Sequence, residues 1–215
     1  FVSSTQPKQW NLLVKRCGTE EKAMMTLAER VSKEIDQHGI IKVLREIEVS
    51  TMEGPKFTMM YPRPVNDKTP EHLILYSLNR LGVMRQIHYS LKDPSLSIDM
   101  GIFLNGLPIM TLELKNELTG QSHHNAVKQY MMDRDVKGEK LLEFTRCLVH
   151  FAVGTEQVFM TTKLDGAKTY FMPYNKTFAN IGVESDGYRT DYLWKDVLRR
   201  DSVIDLVSHY VNLHT

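Results

Sequence analysis

Cysteine is scarce: Cys17 and Cys147 are the only two in 215 residues, without metal-ligand spacing. That count gives no disulfide framework and no cysteine-based zinc site, and it fits a reducing compartment. No apolar run reaches the roughly 20 residues of a membrane span, and no secretory signal pattern opens the chain. A cytoplasmic protein without a membrane partner is therefore expected. There is no Gly-x-Ser-x-Gly, which removes support for a serine hydrolase. There is no Walker motif either: Gly166-Ala167-Lys168-Thr169 lacks the first glycine at the right spacing and the glycine before the lysine. Charge of one sign is also missing, with 27 Lys and Arg against 26 Asp and Glu and a net charge of +1. Any electrostatic footprint for nucleic acid must then be a local patch.

What remains is the composition of a soluble globular chain, 42% apolar and 25% charged, long enough to bury a sizeable core. Its first residue is Phe rather than Met, as expected of a piece of a longer protein. Thr19 followed by Glu20 and Glu21 predicts a capped helix, with Ala23, Met24, Leu27, Ala28, Val31 and Ile35 at helical spacing and Gly39 as its stop. A shorter helix is expected near Ile41 to Ile47. Residues 50–68 carry Gly54, Pro55, Pro62 and Pro64 and predict a loop with a short strand from Lys56 to Tyr61. Thr69-Pro70-Glu71 opens a helix expected to reach Leu81.

Strands are expected over Val83 to Ser90, Leu148 to Val153 and Val158 to Thr162, with a further one at Thr169 to Met172. Ser122 is placed to cap a helix on which Val127, Tyr130 and Met131 share a face. Residues 173–191 predict a loop, and Asp191 to His214 two helical pieces, the second capped at Asp201-Ser202. Met24, Met25, Met59, Met60, Met131 and Met132 are expected to fill the core. Helices alternating with strands predict a three-layer α/β/α arrangement around a central mixed sheet.

The chemistry concentrates in one hairpin. Ser97 to Leu104 and Leu107 to Lys115 are strand-like and meet at Asn105-Gly106. Asp99 interrupts the first strand, and Glu113 and Lys115 the second; being two residues apart, the latter pair share a face. Glu20-Glu21-Lys22 matches the same Glu-x-Lys tripeptide on a solvated helix, so the tripeptide alone carries nothing. Its apolar setting does: unpaired charge there would be costly without a metal, a partner or a cleft. Two carboxylates suit Mg²⁺, and a metal with a lysine beside a phosphodiester makes a nuclease site.

Register sharpens that expectation. A two-residue turn pairs Leu104 with Leu107 and Asp99 with Leu112, leaving Glu113 opposite Ile98 on the other face. A one-residue shift, from a three-residue loop or bulge, pairs Asp99 with Glu113. The metal reading thus predicts an offset or a strong local twist near Asn105 to Leu107, and a regular two-residue hairpin with the carboxylates on opposite faces would count against it.

Other groups carry less. His123-His124 are adjacent, do not share a helix face and have no third ligand at useful spacing; they read as a polar helix start. Arg85, Lys128 and Arg134 are candidates for DNA backbone contact or for plain solvated surface, and Asn116, following the lysine, is a further DNA-contact candidate.

Long blocks add a resemblance. The chain carries Arg85-Gln-Ile-His-Tyr-Ser, Ser97-Ile-Asp-Met-Gly-Ile-Phe-Leu-Asn-Gly-Leu-Pro, Leu112-Glu-Leu-Lys-Asn-Glu-Leu-Thr-Gly-Gln, Ala126-Val-Lys-Gln-Tyr, Arg146-Cys-Leu-Val-His-Phe-Ala-Val, Met160-Thr-Thr-Lys-Leu and Gly187-Tyr-Arg-Thr-Asp-Tyr-Leu-Trp. With these the chain resembles the N-terminal nuclease region of type I restriction enzyme motor subunits. The resemblance implies a restriction-endonuclease-like PD-(D/E)xK fold, with catalytic Asp99, Glu113 and Lys115. It implies Mg²⁺, or Mn²⁺, on Asp99, Glu113 and the backbone carbonyl of Leu114. The family's Gln-x-x-x-Tyr pair is matched only at Tyr130, with Ala126 at the glutamine position and Gln129 beside the tyrosine; these two are expected to support the site. An early-helix glutamate near the metal has candidates in Glu21 and Glu71. Implied partners are double-stranded DNA and the methyltransferase and specificity subunits, with ATP used only by a motor domain outside this chain. Residues 1–175 are then expected to form the nuclease domain and 176–215 a loop and helical connection toward that motor. A non-catalytic DNA-binding or docking module with the same fold is the alternative.

Overall fold

A computed structural model describes residues 1–51, 54–66 and 68–212. Parts of two expectations, the loop at Met52, Glu53 and Asp67 and the end of the last helix at His214, lie outside the described residues. The chain divides into two compact units.

The first unit comprises Phe1–Leu81, Leu104–Gly106 and Ile204–Thr215. It begins with α1 (Val2–Thr5) and α2 (Pro7–Cys17), where no helix was expected. Trp10, Leu13, Val14 and Cys17 stand at i, i+3, i+4 and i+7, but only Leu13 is fully buried, so the apolar stripe is thin. α3 (Glu20–His38) starts as predicted, with Thr19 Oγ1 accepting the Lys22 N–H and Gly39 (φ 78°) ending it. Ala23, Leu27, Val31 and Ile35 lie on its buried face, whereas Ala28, expected with them, is exposed because it falls one position off that stripe. Met24 and Met25 point outward instead, each more than half exposed, and so does Met132 of the other unit. Met59 and Met60 are buried as expected.

α4 (Ile40–Arg45) follows, then β1 (Val49–Ser50) paired antiparallel with β2 (Lys56–Phe57). The strand predicted to Tyr61 stops early because a side chain replaces the strand partner. Gln6 accepts the Thr58 N–H at 2.8 Å and donates to the Thr58 carbonyl at 2.9 Å. α5 (Pro70–Ser77) also ends before the predicted Leu81. Asn79 explains the stop: its amide donates to the Tyr76 carbonyl at 2.9 Å and to the Tyr61 carbonyl at 2.7 Å.

The second unit comprises Gly82–Phe103 and Leu107–Val203. A six-stranded sheet supplies its frame, in the order β3 (Leu81–His88), β4 (Ser97–Leu104), β5 (Leu107–Leu114), β6 (Val149–Val153), β7 (Val158–Thr161) and β8 (Met172–Pro173). β5 and β6 run parallel, whereas β6–β7 and β7–β8 are antiparallel. Parallel neighbours need a crossover, and α6 (His123–Lys128) lies on it and packs against β5, β6 and β7. This mixed sheet with a packed helix is the α/β arrangement of restriction-endonuclease-like folds.

α6 is closed at its start by a reciprocal cap, in which Asn125 Oδ1 accepts the Ser122 N–H at 2.9 Å and Ser122 Oγ accepts the His124 N–H. It runs into a single wide π turn, Gln129–Asp133, after which Arg134 is extended (φ −115°, ψ 97°). A second π turn, Leu193–Val197, precedes α7 (Arg200–Asp205), and a third, Leu206–Tyr210, follows it.

The hairpin turn is two residues long. Asn105 (φ 53°) and Gly106 (φ 89°) are both left-handed, the pattern for which Asn-Gly is selected in tight hairpins. The longer loop that the register argument required is not formed. Met110 to Leu114 of β5 pair with Val149 to Val153 of β6, so the second carboxylate lies deep within the sheet.

Candidate active site

Asp99 on β4 is half-buried, and its side chain reaches across to the end of β5. Its Oδ2 accepts the Leu114 N–H at 2.8 Å, and its Oδ1 accepts from Gln86 Nε2 at 3.3 Å. Gln86 has φ 49° inside β3, a local break in that strand beside Asp99. The lengthened loop is absent, yet Asp99 lies close enough to Glu113 for its charge to act on that carboxyl.

Glu113 is fully buried on β5. Its partner is Arg134, whose Nε and Nη2 both donate to Oε1, at 3.0 and 2.8 Å. Nη2 also donates to the Ser97 carbonyl at 2.7 Å, and the guanidinium lies over the Tyr89 ring at 5.8 Å. Arg134 is itself buried, so its reading as solvated surface or DNA contact is overturned. The extended backbone after the π turn carries it to Glu113. Such turns recur at functional sites. Nothing in the hydrophilic run Asp133-Arg134-Asp135 marks this pairing, because its partner lies 21 residues upstream.

The other oxygen, Glu113 Oε2, is buried with no hydrogen-bond partner. Burial pushes the Glu113 carboxyl up to about 7; Arg134 pulls it back through charge and hydrogen bonds, and the Asp99 carboxylate adds to the upward push. A divalent cation would satisfy the orphaned oxygen and offset the repulsion between the acids, so the residues present fit such an ion. Among the described residues no cluster of three or more His, Cys, Asp or Glu could hold a metal. A two-carboxylate site suits Mg²⁺, which keeps several of its waters, better than it suits zinc.

Lys115 follows β5 directly and is half-buried, with its N–H donated to the Val153 carbonyl at 2.8 Å. By strand alternation it shares the Glu113 face. Leu114 lies between them, half-buried. Asn116 caps the short 3₁₀ segment Glu117–Thr119, its Oδ1 accepting the Leu118 N–H at 2.9 Å. Arg85 on β3 and Lys128 on α6 are exposed, and Gln129 is half-buried.

Tyr130 is fully buried, which closes direct DNA contact to it. Its hydroxyl pairs with Thr111 Oγ1 at 2.8 Å, and the same oxygen meets His150 Nδ1 at 2.7 Å. Burial depresses His150 to about 3, so it is a neutral member of this network. Thr111 is two residues from Glu113 on the same strand face, so the trio braces β5 behind the acid. The signal for His150 was a single histidine inside the apolar run Leu148 to Val153. His123 is buried rather than a polar surface residue, stacked on Phe159 at 4.8 Å with Nδ1 unpartnered. Glu21 and Glu71 occupy the first turns of α3 and α5 in the first unit.

The family model for the type I restriction enzyme R protein N terminus matches residues 15–169. The chain belongs to that family. The matched span of this R-protein N terminus contains Asp99, Glu113, Lys115 and Arg134. No curated protein matches the chain. Among the described residues no helix is long and apolar enough to cross a membrane.

Proposed function

We propose that this chain is the metal-dependent DNA endonuclease domain of a type I restriction complex. The observation that carries the reading is Glu113 Oε2, a carboxylate oxygen sealed inside the protein, without a partner, beside a second acid. Asp99 and Glu113 would hold Mg²⁺ or Mn²⁺, with the Leu114 carbonyl as a further ligand. Bound there, the ion supplies charge neutralisation at the scissile phosphate and lowers the pKa of a water it holds.

The chain's own groups do the rest. Asp99 and Glu113 would fix where the ion, and through it the phosphate, stands, and the Lys115 ammonium holds the attacking water and stabilises it as its proton passes to solvent. In-line attack forms the new P–O bond as the bond to the leaving sugar oxygen breaks, and that oxygen takes a proton from solvent, so one strand is cut. Tyr130, through Thr111, keeps β5 in place, and Gln129 on the neighbouring turn supports the same edge. Arg85, Asn116 and Lys128 offer positive charge or hydrogen bonds to duplex phosphates, which position DNA without reading its sequence. Site recognition belongs to the methyltransferase and specificity subunits, and ATP to the motor, all acting in the cytoplasm.

In the assembled restriction complex, Lys115→Ala should lower DNA cleavage by about a hundredfold or more while ATP hydrolysis persists. Cleavage at the normal rate would remove Lys115 from the chemistry. Loss of both activities would instead indicate failed assembly, and the non-catalytic docking module would then be the better reading.

A further inference from the structure

The side-chain bonds around Glu113 bear on how many ions the site takes. A carboxylate has two oxygens and about four lone-pair positions. Arg134 places two N–H groups on the same oxygen, Oε1, at 3.0 and 2.8 Å, and so saturates it. It cannot swing away cheaply, being buried, bonded to the Ser97 carbonyl and laid over Tyr89. All of Glu113's remaining capacity lies on Oε2, which is buried and unpartnered. Asp99 has one oxygen committed to the Leu114 N–H and the other to a long bond from Gln86.

We propose that Arg134 is a positioning residue that restricts this site to a single divalent cation, by holding Glu113 Oε1 and leaving Oε2 as that residue's only ligand atom. The inference rests on the metal-site reading above. Two-metal phosphodiesterase sites hold their ions about 3.5–4 Å apart with carboxylate oxygens available to both. Here Glu113 has no second oxygen to give, so another ion would have Asp99 as its one carboxylate. Arg134 also cancels one of the two carboxylate charges, leaving too little negative charge to hold a pair of dications side by side.

The test is a Mn²⁺ titration of the intact chain, followed by calorimetry and by electron paramagnetic resonance. Wild type should bind one Mn²⁺ and give the six-line spectrum of an isolated ion. Asp99→Ala should lose that binding. Arg134→Met, checked for folding by circular dichroism, should admit a second ion and broaden the spectrum by coupling between neighbours. Two coupled ions in wild type would overturn the single-ion proposal while leaving the metal-site reading intact. Unchanged single-ion binding in a folded Arg134→Met variant would remove Arg134 as the cause and overturn it equally. No binding by wild type, or full binding by Asp99→Ala, would defeat the metal-site reading itself. Should Arg134→Met not fold, Arg134→Lys, which lacks the fixed fork that places two N–H groups on Oε1, should likewise admit a second ion, and single-ion binding by that folded variant would overturn the proposal.

Discussion

Removing the Arg134 guanidinium should destabilise the fold sharply, and its cost can be worked from the contacts. Arg134→Met keeps most of the aliphatic stem but deletes both N–H bonds to Glu113 and the one to the Ser97 carbonyl. Glu113 then has neither oxygen partnered, at a position where its side chain has no exposure. Breaking one half of a buried ion pair costs about 3–5 kcal/mol, because the other charge remains. The lower end applies here: with a pKa already about 7, Glu113 escapes part of the penalty by taking a proton. The expected loss is therefore about 3 kcal/mol at neutral pH. Pairing the change with Glu113→Leu should restore much of it, since apolar replacement of a whole buried pair is often neutral. Urea unfolding followed by far-ultraviolet circular dichroism measures all four corners of the cycle. A loss under about 1 kcal/mol, or no coupling between the two positions, would refute the claim that this pair is buried and mutually dependent.

Two buried groups near each other should titrate in opposite senses. His150, held down to about 3, gives stability that is present above 6.5 and lost as pH falls. Glu113, pushed up to about 7, gives stability that is present below 4.5 and lost as pH rises. From pH 6.5 to 4.5 the two oppose each other. Glu113→Gln should therefore lose about 2 kcal/mol more than wild type across that window, and parallel stability profiles would contradict the assignment. Gly106→Val should cost about 1–2 kcal/mol in the same unfolding assay, because position 106 is left-handed (φ 89°); an unchanged midpoint would argue against the two-residue turn.

Much of this architecture could be read from local pattern. Thr19, Ser122 and Pro70 start helices where their chemistry places them, and Asn105-Gly106 turns the hairpin. Asp99, Glu113 and Lys115 were visible because charge in an apolar strand demands a reason. What stayed hidden depends on contacts distant in sequence. Gln6 ends a strand 52 residues away, and Arg134 pairs with an acid 21 residues upstream across a π turn that no periodicity announces. The hairpin register is instructive in the same way. The offset expected near Asn105 to Leu107 is not formed, because Asn105-Gly106 closes a two-residue turn, and Asp99 instead reaches the Leu114 N–H with its side chain.

The most direct test of the central claim is an anomalous difference map from crystals soaked in Mn²⁺. The account predicts a peak between Asp99 and Glu113 Oε2, at metal–oxygen bonding distance from both. A map with no peak at that pair, under conditions where the restriction complex cuts DNA, would contradict it.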